Sequence, residues 1–304
     1  MTYSIVARDP ETGRFGVAVQ SHYLGVGPVV PWLEAGVGAV ATQARVNVSF
    51  GPLGLELLRS GRSAEEVVAA LLASDGQPEV RQVGVVDAAG RAAAHTGSEC
   101  IPAAGHLVGD GFTVQGNLLA ADTVWPAMAV AYEAGLREGA PFVERLLRAL
   151  EAAEAEGGDV RGRQSAAIMV YDADLKPAWW QGRRMDLRLE DHPNPVPELR
   201  RIVTLQLAYQ LLDDAGDAAR AGLSAEERYA EARRLAPDAY ELVFWRAIEL
   251  ATAGRIHEAR REMAIAVAAD ESWRNTLNHL AEGRREGVTP ELAAQLLSEA
   301  PVPE

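Results

Sequence analysis

The punctuation of the chain changes once, near Leu199, and that change limits what it can fold into. Before it, short β-branched and apolar runs separated by Gly- and Pro-containing turns are mixed with amphipathic helical stretches; after it, every segment has helical spacing. Two units are expected, 1–204 and 205–304. In the first, strands come in groups and so do helices, an order that fits a segregated α+β fold better than alternating βαβ units.

Within the first unit, "YSIVARD" and "FGVAVQS" flank the turn "PETGR" and read as a hairpin, and "GAVATQARVNV" is expected to continue the same sheet. "LGLELLRSG" and "SAEEVVAALLAS" take helical spacing, and Ser63 followed by Glu66 is a capping-box pattern. "RQVGVVDAAGRAAAHTG" is a second hairpin, and "FTVQGN" a strand ending near Asn117. Residues 122–156 are helical with a break at Gly139-Ala140-Pro141, a strand begins near Ser165, and "MDLRLEDHPNPVPEL" is a strand, a Pro-rich loop and a helix start.

The helical tail carries a faint repeat. "ERYAEARRLAP" and "HEARREMAIAVAADE" align 34 residues apart, setting Ala225 with Ala259, Tyr229 with Met263 and Ala232 with Ala266, the period of a tetratricopeptide unit. Ala247 and Gly254 fall where that pattern wants small residues, and a degenerate third unit runs through Ala281, Ala293 and Ala300. The other reading is an irregular alanine-rich bundle. Such arrays offer a groove to a peptide or a subunit, so a protein partner or self-association into a homo-oligomer is expected there.

Charge narrows the partners. The net charge is −14, a surface that repels phosphate backbones and anionic lipid, so neither nucleic acid nor membrane is an expected partner. Cys100 is the single cysteine, which excludes an intrachain disulfide and a thiolate cluster. With no apparent signal peptide and no long uncharged apolar run, a cytoplasmic, soluble protein is expected.

Thr2 is the residue with the most specific chemical reading. Removal of Met1 would leave a free α-amine beside the threonine hydroxyl, and an amine with a reference pKa of about 8 can serve as base for its own nucleophile. The alternative is a plain strand threonine. In "GGDVRGRQSAA", Asp159 either orients Thr2 or the substrate, or satisfies its own loop; Arg161 and Arg163 suit a bidentate carboxylate, and Ser165 opens the strand that follows. Asn117 is either an oxyanion donor or a turn cap, and Ser21 and His22 follow the second strand as candidate substrate contacts. His95, Cys100 and His106 form a loose H-x4-C-x5-H set whose spacing matches no tight zinc motif, so no metal and no cofactor are expected, although a metal-assisted hydrolase using His95 and His106 is a third reading. The chain has no G-x-S-x-G and no Gly-rich phosphate loop.

The segments "TYSIVARDPETGRFGVAVQS", "GVGAVATQARVNVSFGPLGLELL", "QVGVVDAAGRAAAHTGSEC", "FTVQGN", "GGDVRGRQSAA" and "DLRLEDHPNPVPELRR" together resemble the bacterial family called domain of unknown function 1028, over about residues 1–205. That resemblance implies a four-layer αββα sandwich of the N-terminal-nucleophile (Ntn) hydrolase type. It makes Thr2 the candidate nucleophile and supplies no substrate. Members of the family often carry a helical C-terminal extension. The opening is also similar to the start of proteasome-type peptidases, but the aspartate expected after the second strand falls on Gln20 or Ser21. The activating lysine is missing too, and Arg45 is the nearest cation by sequence. An arginine gives electrostatic help without a titrating amine. The expectation is hydrolysis of an amide or related C–N bond in a small molecule. Thr2 would attack, Asn117 and backbone donors would hold the oxyanion, and Arg45, Arg161 and Arg163 would bind anionic groups. The alternative is an inactive fold that binds a ligand or acts as a scaffold.

Overall fold

The computed structural model describes residues 2–178, 180–221 and 223–298. The chain separates into two compact units, Met1–Arg200 and Arg201–Glu304. It is a mixed α+β fold, with sheets first and a helical region at the C-terminal end.

The first unit holds two antiparallel sheets. Ten strands fall in chain order: β1 (Thr2–Arg8), β2 (Phe15–Ser21), β3 (Pro31–Glu34), β4 (Gly38–Ala44), β5 (Arg81–Asp87), β6 (Ala92–Thr96), β7 (Gly105–Gly109), β8 (Phe112–Asn117), β9 (Ser165–Tyr171) and β10 (Arg183–Leu189). The larger sheet has the order β10-β9-β2-β1-β8-β7 and the smaller β3-β4-β5-β6. The hairpins 2–21 and 81–96 form as the sequence leads one to expect. The segment "GAVATQA" does not continue the first sheet: β4 sits in the second, paired with β3 and β5. Strand partner is a non-local choice, and a run apolar on both faces fits either sheet.

Period-two alternation divides each central strand between two neighbours. On β2, Phe15, Val17 and Val19 pack with Ala39, Ala41 and Val86 of the facing sheet, and with Ala167 and Met169. The opposite face of β2 meets helix α4 (Phe142–Ala155), which packs beside α3 (Val124–Arg137). At Gly16 a Cβ would lie 2.5 Å from Leu146 and 2.8 Å from Phe142, so only glycine lets α4 come this close. Helices α1 (Phe50–Arg59) and α2 (Ala64–Ala73) cover the other sheet, placing Phe50, Leu55, Leu58, Val67 and Leu71 on Val40, Val83 and Val85. Helix α2 starts at Ser63, whose hydroxyl accepts from the Glu66 N–H while the Glu66 carboxylate accepts from the Ser63 N–H. A cap of this kind is worth about 1 kcal/mol.

Where the sheets face each other near the start of β1, the apolar filling gives way to a layer of amides. Gln82 Nε2 donates to Thr96 Oγ1, Gly105 O and Gly116 O (2.9, 3.1 and 2.7 Å), and its Oε1 accepts from Gln43 and Asn117 (2.8 Å each). Ser4 donates to Gln43 Oε1 and accepts from Gln115 Nε2, both at 2.7 Å. Gly84 makes room for the layer, since a Cβ there would stand 2.4 Å from Thr113 Oγ1 and 2.5 Å from Gln115 Oε1. Directional bonds of this sort fix how one sheet sits on the other more tightly than apolar packing alone.

Helix α5 (Pro195–Arg220) is followed in the helical region by α6 (Glu226–Leu235), α7 (Tyr240–Thr252), α8 (Ile256–Ala269), α9 (Ser272–Gly283) and α10 (Pro290–Leu297). Ala225, Tyr229 and Ala232 are buried in one apolar cluster; Ala259, Met263 and Ala266 lie in a second with Phe244, Ala247, Leu277, Ala281 and Ala293. Ala300, the last member of the third suspected repeat unit, lies outside the described residues.

Candidate active site

The candidate site forms where five strands end. Thr2 opens β1 and pairs with Asn117 at the end of β8; Ser21 closes β2 and pairs with Ser165 at the start of β9; Ala44 closes β4. Thr2 Oγ1 and Ser21 Oγ point to the same sheet–sheet side and lie 3.1 Å apart. Both are buried, yet with Gln43 and Ala44 they line a cavity of about 70 Å³ whose remaining wall is Tyr23, Val26, Val29, Val30 and Val46. The Thr2 carbonyl accepts from Gln43 Nε2 at 3.3 Å, which ties the start of β1 to the amide layer.

Ala44 has φ +68°, in the left-handed region that a residue with a Cβ seldom occupies. This turn aims the chain out of β4 along the cavity. Among the described residues, the N–H groups of Arg45 and Val46 make no hydrogen bond. Arg45 is exposed, sits between two cavity-lining residues and, among the described residues, forms no ion pair. A second left-handed residue, Leu118 at φ +53°, follows Asn117. Such outliers recur at functional sites, where surrounding structure holds them in place.

The other candidates are engaged elsewhere. Asn117 Nδ2 donates inward to Gln82, and the residue is not in the cavity wall. Asp159 accepts from the His22 N–H and the Arg161 N–H (2.9 Å each) and pairs with the Arg161 guanidinium at 3.2 Å. It therefore clamps the loop after β2 to the loop before β9. His22 is half-buried over that clamp, its Nδ1 without a hydrogen bond among the described residues. Arg163 is directed to Glu154 and to Asn194 Oδ1 (3.2 Å). Ser165 donates to the Tyr23 carbonyl (2.5 Å) and accepts from the Val26 N–H (3.2 Å), so it pins the valine-bearing cavity wall and does not face the cavity. Of the residues singled out in the sequence, Thr2, Ser21 and the Arg45 edge come together at this cavity; Gln43, Tyr23 and the valines beside them were not singled out. The signal was present: "YLGVGPVV" is an apolar, glycine-broken loop next to the candidate nucleophile.

The histidine set does not converge on a ligand. His95 Nε2 contacts Pro78 O at 3.0 Å, His106 Nδ1 contacts Thr96 Oγ1 at 2.8 Å, and Cys100 Sγ is directed to Arg81 O at 3.4 Å. Burial pushes the Cys100 thiol up, and burial together with His95 holds His106 below the usual imidazole value. No three His, Cys, Asp or Glu side chains come together among the described residues. Nor is any described helix long and apolar enough to cross a membrane.

The model of the family described as "Family of unknown function (DUF1028)" matches residues 2–199. The crystal structure of protein SPO2555 from Silicibacter pomeroyi, of the same family model, is similar to this chain at 34% identity and a TM-score of 0.59, covering 66% of this chain and 87% of that one. No curated protein matches the chain. The chain belongs to the DUF1028 family.

Proposed function

We propose that the β-rich unit of this DUF1028 protein is an N-terminal-nucleophile hydrolase that cleaves an amide or related C–N bond in a small molecule. The observation that carries the reading is the Thr2 hydroxyl at the wall of a cavity, on the first residue of a central strand, 3.1 Å from the Ser21 hydroxyl. Two face-to-face antiparallel sheets with a helix pair packed on each support an Ntn-type αββα sandwich.

The chemistry follows from that placement. With Met1 removed, the Thr2 α-amine takes the hydroxyl proton as Oγ1 attacks the substrate carbonyl carbon. The developing oxyanion is met by the N–H groups of Arg45 and Val46, which the left-handed Ala44 leaves available. The amine then returns its proton to the leaving nitrogen as the C–N bond breaks; water next attacks the ester carbon, its proton passing through the amine to Oγ1 as the C–Oγ1 bond breaks and the carboxylic acid leaves. Ser21 fixes the direction of the Thr2 hydroxyl, and Arg45 attracts an anionic group at the rim. Met1 itself lies outside the described residues.

The test is intact mass of the untagged protein followed by an amide-substrate screen of wild type against Thr2→Ala. Loss of one methionine and turnover that disappears in Thr2→Ala support the reading. Retained Met1, or turnover unchanged by the substitution, overturns it in favour of a ligand-binding scaffold. The engagement of Asp159 and Asn117 in internal bonds is what favours that second reading.

For the helical region we propose a tetratricopeptide-like array that docks a protein partner or a second copy of the chain. Burial of the six residues related by the 34-residue period supports it. So does a groove lined by Tyr209, Leu212, Glu241, Trp245 and Ile248.

A further inference from the structure

We infer that the cavity beside Thr2 is an acyl-group pocket for short aliphatic chains, with roughly three to four carbons beyond the carbonyl. The assignment of its occupant as the acyl half rests on the hydrolase reading; the size and polarity of the pocket do not.

Three features set the class of occupant. The first is size. An apolar cavity of about 150 Å³ admits a benzene ring, and this one is about 70 Å³. It takes about half as many carbons and excludes an aromatic ring. The second is polarity. Four valines and the Tyr23 ring form the wall, and its polar members are already committed: Gln43 to Ser4, Gln82 and the Thr2 carbonyl, Thr2 and Ser21 to each other. No charged side chain lines it, so a carboxylate-bearing acyl chain would be desolvated there without a counter-ion.

The third is rigidity. Val26 and Val30 belong to the core between the sheets, and the Val29 and Val30 N–H groups both donate to the Val26 carbonyl at 3.1 Å. The Val30 carbonyl accepts from the Thr42 N–H (3.1 Å), and Ser165 holds the Val26 N–H. A wall bonded in this way does not swell to admit a larger group.

The direction of the substrate follows from the reaction. The acyl half stays bonded to Oγ1 after the C–N bond breaks, whereas the amine half must leave. The walled side of Thr2 therefore suits the acyl chain, and the exposed edge at Tyr23 and Arg45 suits the departing amine.

The experiment has two arms. In the first, wild type freed of Met1, as verified by mass, is assayed on acetyl, isobutyryl, isovaleryl, octanoyl, phenylacetyl and glutaryl p-nitroanilides. The expected kcat/KM rises at least about 10-fold from acetyl to isobutyryl or isovaleryl, in keeping with what one or two methylenes are worth in an apolar pocket. It then falls for octanoyl, phenylacetyl and glutaryl. In the second, the Thr2→Ala protein, which cannot turn over, is titrated with the corresponding free acids by NMR. Isobutyrate or isovalerate is expected to bind best. Adding Val46→Trp, a change at a partly exposed position of the wall, is expected to weaken that binding at least about 10-fold while the melting curve confirms the fold. Binding selectivity without wild-type turnover supports the pocket and removes the hydrolase reading. Equal rates across the series, a preference for phenylacetyl or glutaryl, or acid binding indifferent to chain length and to Val46→Trp, overturns the pocket.

Discussion

The two ends of strand β1 both bury polar side chains, and the contrast between them separates a structural polar site from the one proposed to be reactive. Just past its far end, Asp9 Oδ1 accepts from Arg145 Nη2 at 2.5 Å, with each side chain only 2% exposed. Asp9 also accepts from the Thr12 hydroxyl and N–H, and the Phe142 and Tyr132 rings lie 5.3 and 5.7 Å from the guanidinium carbon. Burial by itself would raise the Asp9 carboxyl, but the Thr12 hydroxyl and Arg145 outweigh it and hold the group below its usual value. At the near end the buried Asp159 carboxylate is taken up by the His22 and Arg161 N–H groups and does not line the cavity. Two hydroxyls meet beside a cavity, with the lining residue Tyr23 53% exposed. The buried ion pair turns its bonding capacity inward, whereas the two hydroxyls border a cavity. Access, more than burial or charge, is what favours the near end as the proposed site.

The largest effect expected is on turnover. Thr2→Ala should lower kcat/KM by about 10⁴-fold or more, or about 5.5 kcal/mol of transition-state stabilisation, while thermal melting barely moves. Asp9→Asn should do the reverse. It leaves Arg145 buried without its counter-ion and should cost about 3–5 kcal/mol of unfolding free energy in denaturant titrations, with activity per folded molecule unchanged. If instead Thr2→Ala destabilises and Asp9→Asn silences, the contrast drawn above is inverted.

Gln82→Leu should fall between the two. It strips the acceptor from Gln43 and Asn117 and should cost about 2–3 kcal/mol, and because Gln43 holds the Thr2 carbonyl, kcat should drop with it. The smallest effect expected is with pH. The folded Asp9 has a lower pKa than the unfolded one, so on acidification the unfolded chain binds the proton first. Stability present above the ordinary value of 3.8 is then lost as pH falls through the lower folded value, by about 1.4 kcal/mol for each unit of depression. Acid-induced unfolding followed by circular dichroism should show this component in wild type and lack it in Asp9→Asn.

Much of the fold could be read locally. The β1–β2 and β5–β6 hairpins, the Ser63 cap and the break before Pro141 each depend on neighbours in sequence, and each forms. Strands β3 and β7 were not legible. One is four residues long and starts at a proline; the other is bounded by glycines, which weaken any strand pattern. The site was half legible for a related reason. Asn117 and Ser165 stand at strand ends and Asp159 in the loop before β9, places where a polar residue suggests a cleft. Whether its side chain meets the cavity or the facing sheet depends on partners far along the chain. The amide layer did leave a trace, since β2, β4, β5 and β8 each carry one glutamine among mostly apolar or small residues. Gln20 sits on the helix-facing side of β2, so the trace alone does not say which of the four meet.

The bond from Gln43 to the Thr2 carbonyl has a consequence for maturation. Among the described residues the ladder of β1 runs from Thr2, opposite Asn117, and the Thr2 carbonyl is anchored across the sheets. The Gln43 bond lies on the C-terminal side of Thr2, away from the peptide bond that the proposed processing would cut. The proposed nucleophile would therefore be held by a contact that does not depend on its own amine. Such an enzyme would be armed by a change of chemistry at the terminus, its anchor across the sheets already in place.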